Sequence, residues 1–398
     1  MRVQIADRIK EVNYAIRDLV VYAEKLEAEG KKITYLNIGD PALYFDTPDH
    51  LKEALFDAVN SGFNRYAPSE GLPELRKAIC YKEEKVNGVR GLEADDVIVT
   101  AGISEGIQMF LGAIANPGDE ILIPGPSYPP FISFTKFFGA NPITFRCVEE
   151  EGWQPDLDDL RRKITDKTKA LILVNPNNPC GSVYEPKVLS ELISISGEYG
   201  IPMVSDETYD RLVYDKKFTS TASIAKDVPI IGFNGFSKTY LATGWRVGYM
   251  YFYDPEEQLT ELRESILKEA RVRICTNTPA QKACVSAIYG PQNHIPELVS
   301  QLKERRDFTY KRLNEINGLS CVKPEAAFYA FPKIETMRWK DDTDFVLQVL
   351  SETQLLFVNG SGFDPVQGKD HFRMVFLPDL KVLEETFDKL ESFLKKES

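Results

Sequence analysis

The stretch Pro229-Ile230-Ile231-Gly232-Phe233-Asn234-Gly235-Phe236-Ser237-Lys238-Thr239-Tyr240-Leu241-Ala242-Thr243-Gly244-Trp245-Arg246-Val247-Gly248-Tyr249-Met250-Tyr251-Phe252 decides the reading of the fold. It holds two apolar, β-rich runs, 229–233 and 247–252, around a loop that carries a lysine and an arginine. Such runs read as strands. The loop is too short for the helical crossover that joins parallel neighbours, so the second strand is expected to run antiparallel. Upstream the same alternation of short apolar runs with helical stretches reaches back through 202–206, 170–174, 143–146, 120–123 and 97–100. Helices fill the gaps, as at 157–164 and at 187–199, where Val188, Leu189, Leu192 and Ile193 recur at helical spacing. The pattern predicts an α/β fold with a mostly parallel, seven-stranded sheet covered by helices.

Downstream the texture changes. A long charged helix at 296–316 leads into short strands at 327–334, 355–358 and 371–376, and a closing helix spans 380–396. These predict a smaller α+β lobe. At 398 residues the chain exceeds one compact core, which fits two lobes about a cleft.

Composition excludes several functions. Hydrophobic residues at 43% and charged residues at 27% are an ordinary globular mixture. A net charge of -12 gives a surface field that repels nucleic acid and anionic lipid. No apolar run approaches the roughly 20 residues of a membrane helix. The charged start, Met1 to Arg8, has no signal-peptide core, so a cytoplasmic protein is expected. The six cysteines form no C-x-x-C pair, and three histidines are a poor supply for a triad, so no metal site is expected.

In an open α/β sheet, ligands bind beyond the carboxyl ends of the strands. Four clusters fall there. Thr100-Ala101-Gly102-Ile103-Ser104-Glu105-Gly106 is a small-residue turn opening a helix, where free N–H groups and the helix dipole can hold a phosphate. Asn175-Pro176-Asn177-Asn178-Pro179-Cys180-Gly181 is a proline-stiffened turn with amides to offer. Ser205-Asp206-Glu207-Thr208-Tyr209 puts a carboxylate at a strand tip with a phenol three residues on. The fourth cluster is the loop of Lys238 and Arg246. Taken singly, each has a plainer reading as a turn, a helix cap or a surface ion pair.

Together they are specific. Asn178 in N-P-x-N-P-x-G, Asp206 and Tyr209 in D-E-x-Y, and Ser237-Lys238 followed by Gly244-Trp245-Arg246-Val247-Gly248 resemble the class I, fold-type I aminotransferases, in the family's order and across essentially the whole chain. The resemblance implies pyridoxal 5'-phosphate, with Lys238 as the lysine that carries it as a Schiff base and serves as base on the substrate Cα. It pairs Asp206 with the ring nitrogen, so that the ring stays an electron sink, and gives Asn178 and Tyr209 to the phenolate oxygen. Arg246, Ser237, Ile103 and Ser104 become the phosphate cradle. Tyr128, in Pro126-Ser127-Tyr128-Pro129, stacks on the ring. Arg373, in His371-Phe372-Arg373-Met374, clamps the substrate carboxylate, with the Gly39 backbone beside it. Tyr66 matches the tyrosine that reaches the neighbouring subunit's phosphate, which implies a homodimer with shared sites. Two positions depart from the pattern: Cys180 stands where threonine is frequent, and Gly235 where some members have a phosphate-binding serine.

The implied domains are an N-terminal segment, 1–45, packing on the small domain and active site, a large cofactor-binding domain, 46–290, and a small C-terminal domain, 291–398. Within the family the resemblance is closest to the alanine aminotransferases, through Tyr14-Ala15-Ile16-Arg17-Asp18, Pro124-Gly125-Pro126-Ser127-Tyr128-Pro129, Trp153-Gln154-Pro155-Asp156 and Cys275-Thr276-Asn277-Thr278-Pro279-Ala280-Gln281. It implies L-alanine plus 2-oxoglutarate giving pyruvate plus L-glutamate, with Tyr14 and Arg17 as contacts of a closing N-terminal segment. The rival readings are an aspartate, aromatic or branched-chain aminotransferase and a β-lyase on the same scaffold. A cofactor-binding regulator would need an appended DNA-binding domain or a damaged site. A dinucleotide-binding dehydrogenase would need G-x-G-x-x-G after the first strand, a spacing that Gly102 to Gly106 does not have.

Overall fold

The computed structural model describes residues 3–12, 14–336 and 338–396; Met1 and Arg2, the start of the charged segment, lie outside the described residues. Strand β1 (Thr34–Tyr35) precedes an eight-stranded sheet formed by β2 (Val97–Thr100), β3 (Glu120–Gly125), β4 (Asn141–Val148), β5 (Gln154–Pro155), β6 (Thr168–Val174), β7 (Met203–Asp206), β8 (Ile230–Gly235) and β9 (Gly248–Tyr253). The spatial order is β2-β9-β8-β7-β6-β3-β4-β5. Strands β4, β3, β6, β7 and β8 are parallel neighbours, while β9 runs antiparallel to both β2 and β8, as its short connection requires. All seven expected strands are present. The eighth, β5, is a two-residue piece pairing antiparallel with the end of β4; it contains a proline and no apolar run, so nothing local announces it.

Period-two alternation assigns the two faces of the sheet. Val97, Val99, Leu171, Leu173 and Met203 join one core cluster, and Ile98, Ala170, Ile172, Val174 and Val204 the other. Both faces are therefore covered, which is why these strands read as unbroken apolar runs. On one side the helix Ile103–Ile114 buries Ile107, Phe110 and Leu111; on the other Pro186–Tyr199 buries Leu189, Leu192 and Ile193.

The C-terminal part contains β10 (Leu319–Ser320), β11 (Tyr329–Ala330), β12 (Lys333–Ile334), β13 (Leu355–Leu356), β14 (Val358–Asn359) and β15 (Phe372–Val375), with the helices His294–Glu315, Asp342–Thr353 and Leu380–Lys396. Two expected strands are split. Pro332, which has no N–H for a ladder, separates β11 from β12. At Phe357 the chain changes partners, because β13 pairs parallel with β1 and β14 pairs antiparallel with β15. A third core cluster holds Phe345, Leu356, Phe372 and Phe387 together with Leu19, Ala23 and Leu36 of the N-terminal segment. Leu36 is tied on both sides: its N–H donates to Leu356 O at 2.9 Å and its carbonyl accepts from Val375 N at 2.8 Å.

Behind the tips of β7 and β8 lies a buried polar cluster. Lys82 Nζ donates to Asp210 Oδ2 and, at 3.0 Å, to Glu83 Oε1. Asn87 Nδ2 donates to Glu83 Oε2 at 2.6 Å and to Asp210 Oδ2 at 3.0 Å, and Asn234 Nδ2 to Asp210 Oδ2 at 2.9 Å. Asp210 thereby fastens the loop after β7 to the end of β8. Burial opposes the charge on Lys82, but Asp210 and Glu83 outweigh it and hold its pKa above the usual lysine range. Lys82→Ala leaves two buried carboxylates without their cation. We expect a loss of about 3–5 kcal/mol of stability, seen as a lower midpoint in denaturant unfolding; an unchanged midpoint would show that the cluster does not stabilise the fold.

Candidate active site

A cavity of about 450 Å³ opens at the carboxyl ends of the parallel strands. Parallel topology points the ends of β2, β3, β6, β7 and β8 to one edge, so the loops that the sequence singled out meet there. The cavity is lined by Ile103, Ser104, Tyr128, Asn178, Asp206, Tyr209, Ser237, Lys238 and Arg246 from this sheet, by Arg373 from β15, and by Tyr14, Arg17 and Gly39 from the N-terminal segment. Every sequence-predicted site residue is thus brought together except Tyr66, which does not line the cavity and stands 79% exposed.

Lys238 follows β8 by three residues. Its Nζ donates to the Gly39 carbonyl at 2.7 Å and lies 5.8 Å from the centre of the Phe328 ring. Burial lowers its pKa to about 8, with Arg373 and Arg246 adding to the shift and Asp40 and Asp206 opposing it. About a tenth is therefore neutral amine at pH 7, far more than for an ordinary lysine.

Asp206 ends β7. Its Oδ1 accepts from Thr208 N at 3.1 Å and from Thr208 Oγ1 at 2.5 Å, which leaves Oδ2 for a ligand. Burial raises its pKa to about 6, against the pull of the two Thr208 hydrogen bonds and of Lys238; a cationic group bound beside it would keep it ionised. The loop after β6 explains its own asparagines. Asn175 Oδ1 accepts from Tyr184 N at 2.9 Å and Asn177 Oδ1 from Cys180 N at 3.1 Å, so these two brace the turn. Gly181 has φ +67°, and a Cβ there would meet Ala326 O at 2.8 Å. The braced turn presents Asn178, whose Oδ1 accepts from Arg373 Nη1 at 2.9 Å and whose amide nitrogen stays free for a ligand.

An anion cradle lies at the other end. The helix Ile103–Ile114 starts at Gly102 without a capping side chain, so its first N–H groups have no helical acceptor. The Arg246 guanidinium sits over this turn, donating to Thr243 O at 3.0 Å and to Ala101 O at 3.3 Å. Gly102 has φ +75° and a Cβ on it would strike Arg246; a Cβ on Gly248 would come within 2.8 Å of the Gly102 backbone. Both glycines are required for arginine and helix end to approach this closely.

Arg373 is 1% exposed. Besides Asn178 it donates to the Asn37 carbonyl, its guanidinium lies 4.5 Å from the Tyr329 ring centre and 4.9 Å from that of Phe363, and its buried Nε has no partner among the described residues. A buried cation at a cavity suits a carboxylate. Sequence reasoning missed Tyr329, Thr208, Thr243 and Asp40, all of which line the cavity. Asp40 accepts from Thr243 Oγ1 at 2.9 Å, and the Tyr329 and Tyr209 hydroxyls are 2.8 Å apart. The neighbour of the quoted Gly39 could have flagged Asp40; for Tyr329, one aromatic in the run 326–331, no local signal exists.

Such a cavity can hold a flat ring with an anionic tail over Gly102 and Arg246, a cationic edge at Asp206 and a reactive carbon near Lys238. The model of the aminotransferase class I and II family matches residues 31–390. An alanine aminotransferase from Pyrococcus furiosus has 53% sequence identity and a TM-score of 0.97, covering 99% of this chain and 100% of that one. The glutamate-pyruvate aminotransferase of Escherichia coli (strain K12) is 37% identical over 98% of each chain, and the alanine aminotransferase of Mycobacterium tuberculosis (strain ATCC 25618 / H37Rv) 39% identical over 97% of this chain and 91% of its own. With so much of its length matched, the chain belongs to the class I and II aminotransferases.

Proposed function

We propose that this enzyme uses pyridoxal 5'-phosphate to move an amino group between L-alanine and 2-oxoglutarate, giving pyruvate and L-glutamate. The observation that carries the reading is that Lys238, Asp206, whose Oδ2 accepts no hydrogen bond among the described residues, and the buried cation Arg373 line one cavity. The residues present fit the cofactor: the Gly102–Gly248 approach leaves an anion site under Arg246, and Tyr128 borders the space for a ring. When bound, the cofactor supplies an aldehyde for amines and a ring that withdraws electrons from the substrate Cα.

The protein does the rest. Lys238 would hold the aldehyde and, as a neutral amine, would take up and return the proton at the substrate Cα. Asp206 keeps the ring nitrogen protonated, while Asn178 and Tyr209 donate to the ring oxygen. Ile103, Ser104, Ser237 and Arg246 fix the phosphate. Arg373 orients the α-carboxylate, with the Gly39 backbone alongside. Ile16 and Ile38 line the cavity and suit a methyl side chain, while Arg17 supplies a cation for the second carboxylate of glutamate, with Tyr14 beside it. We further propose a homodimer in which the exposed Tyr66 reaches the partner's phosphate site. Phe56, 69% exposed, is apolar surface for a second copy to cover. The six free cysteines suit a reducing cytoplasm.

Lys238→Ala is expected to abolish the visible band that forms with pyridoxal phosphate and to cut alanine transamination at least about 10³-fold; full turnover would overturn the reading. A donor panel tests the substrate: alanine should lead, and equal rates with aspartate would favour the rival specificity.

The pH dependence follows from the lysine. Only the neutral amine attacks an aldehyde, so the rate at which the apo-protein captures pyridoxal phosphate rises with pH and levels off above a midpoint of about 8. A rate still climbing at about pH 10, as for an ordinary lysine, would refute the lowered pKa.

Arg17→Ala should raise KM for glutamate about tenfold while leaving alanine within about twofold. Equal effects on both donors would remove Arg17 from the substrate site.

A further inference from the structure

Tyr209 Oη has one hydrogen-bond partner among the described residues, the hydroxyl of Tyr329 at 2.8 Å. Tyr329 reaches it from β11, on the far side of the cleft from β7, where it pairs with β15, the strand of Arg373. The two rings meet edge to face, with centres 5.8 Å apart. The approach is enforced on a third side: a Cβ on Gly39 would collide with the Tyr329 hydroxyl, so only glycine there leaves room for it. The Arg373 guanidinium covers the ring from 4.5 Å. Tyr329 is thus wedged between three groups of the proposed mechanism.

A phenol has one proton to give and lone pairs to accept with. Within this pair only one hydroxyl can donate to the other. If Tyr209 donated to Tyr329, its proton would be used up and it could not serve a ring oxygen in the cavity. If Tyr329 donates, the Tyr209 proton is free, and the two hydroxyls form a chain in which each bond strengthens the next. The charges around them select the second arrangement. Burial pushes both phenols up; at Tyr329, Arg373 works against that shift ahead of the opposing Tyr14 and Asp40, whereas at Tyr209 the surrounding phenols and Asp206 all add to it. Tyr329 is therefore the more acidic of the two and the better donor.

We infer that Tyr329 is a positioning residue, whose hydroxyl donates to Tyr209 and so keeps the Tyr209 proton directed at the ring oxygen of the bound cofactor. The inference rests on the pyridoxal phosphate reading above and adds to it a residue that acts through Tyr209.

The test is a pH titration of the visible band of the cofactor-loaded protein without amino acids, in the wild type, Tyr329→Phe, Tyr209→Phe and the double variant. Donation to the ring oxygen favours its deprotonated form and lowers the midpoint at which the chromophore loses its proton. Tyr329→Phe should therefore raise that midpoint by on the order of a few tenths of a pH unit. Because phenylalanine keeps a ring under Arg373, KM for alanine should stay within about twofold. In the Tyr209→Phe background the same change should move the midpoint no further. An unshifted midpoint in Tyr329→Phe, or an equal shift when Tyr209 is already lost, overturns the inference and leaves the function standing. A wild type that gains no visible band with pyridoxal phosphate removes the functional reading and this inference with it.

Discussion

The amine of Lys238 shares one cavity with the cations Arg246 and Arg373 and the carboxylates Asp206 and Asp40, and the balance among them governs what the site can do. A lysine in water is an ammonium ion and reacts with nothing electrophilic. Burial lowers the pKa of Lys238, and the two arginines push the same way. The arginines cannot themselves lose a proton, so they stay as fixed positive ends of the cavity. One stands over the helix end at Gly102, the other against Asn178. Among the described residues that line the cavity, Lys238 is the one cation that can give its proton up. The carboxylates set the opposite limit, since Asp40 and Asp206 oppose the shift and keep the amine from becoming permanently neutral.

This balance needs charges from distant parts of the chain to be held at fixed separations, and the sheet supplies that. Each loop of the site leaves the same edge, and those after β6, β7 and β8 are fastened by further side chains. Asn175 and Asn177 use their side chains on the turn that presents Asn178. Thr208 occupies one oxygen of Asp206 and fixes which one faces the cavity. Asp210 and Asn234 tie the loop after β7 to the tip of β8, just ahead of Lys238. Much of the polarity buried behind the site is therefore scaffolding that limits the freedom of the groups in front.

The sheet and the strand-tip residues were legible in the sequence because both follow from local patterns. Strands buried on two faces are unbroken apolar runs, and a lysine, an aspartate and an asparagine directly after such runs stand out. The rest depends on the path of the chain. Tyr329 matters because β11 pairs with β15 further along the chain and Gly39, from its far N-terminal end, passes beside it, contacts that no local pattern encodes. The split of 327–334 was readable in part from Pro332, but the change of partner at Phe357 was not, since it depends on β1 arriving from the other end of the chain. Tyr66 is the reverse case: the resemblance singles it out, yet it does not line its own chain's cavity and stands exposed.

Arg373 links these levels. Its guanidinium touches Asn178 of the large sheet, the carbonyl of Asn37 in the N-terminal segment and the ring of Tyr329 in the smaller lobe. The Asn37 side chain in turn donates to Ile16 O at 2.9 Å, and Ile16 and Arg17 both border the cavity. A carboxylate bound to Arg373 would therefore act on the residue that also orders the N-terminal segment. Binding the part of the substrate common to every amino acid and arranging the wall that meets the variable part are then not separate events. If Arg373 holds the substrate carboxylate as proposed, selectivity between donors would rest on the segment at Tyr14 to Arg17, while the chemistry at Lys238 would stay the same for each of them.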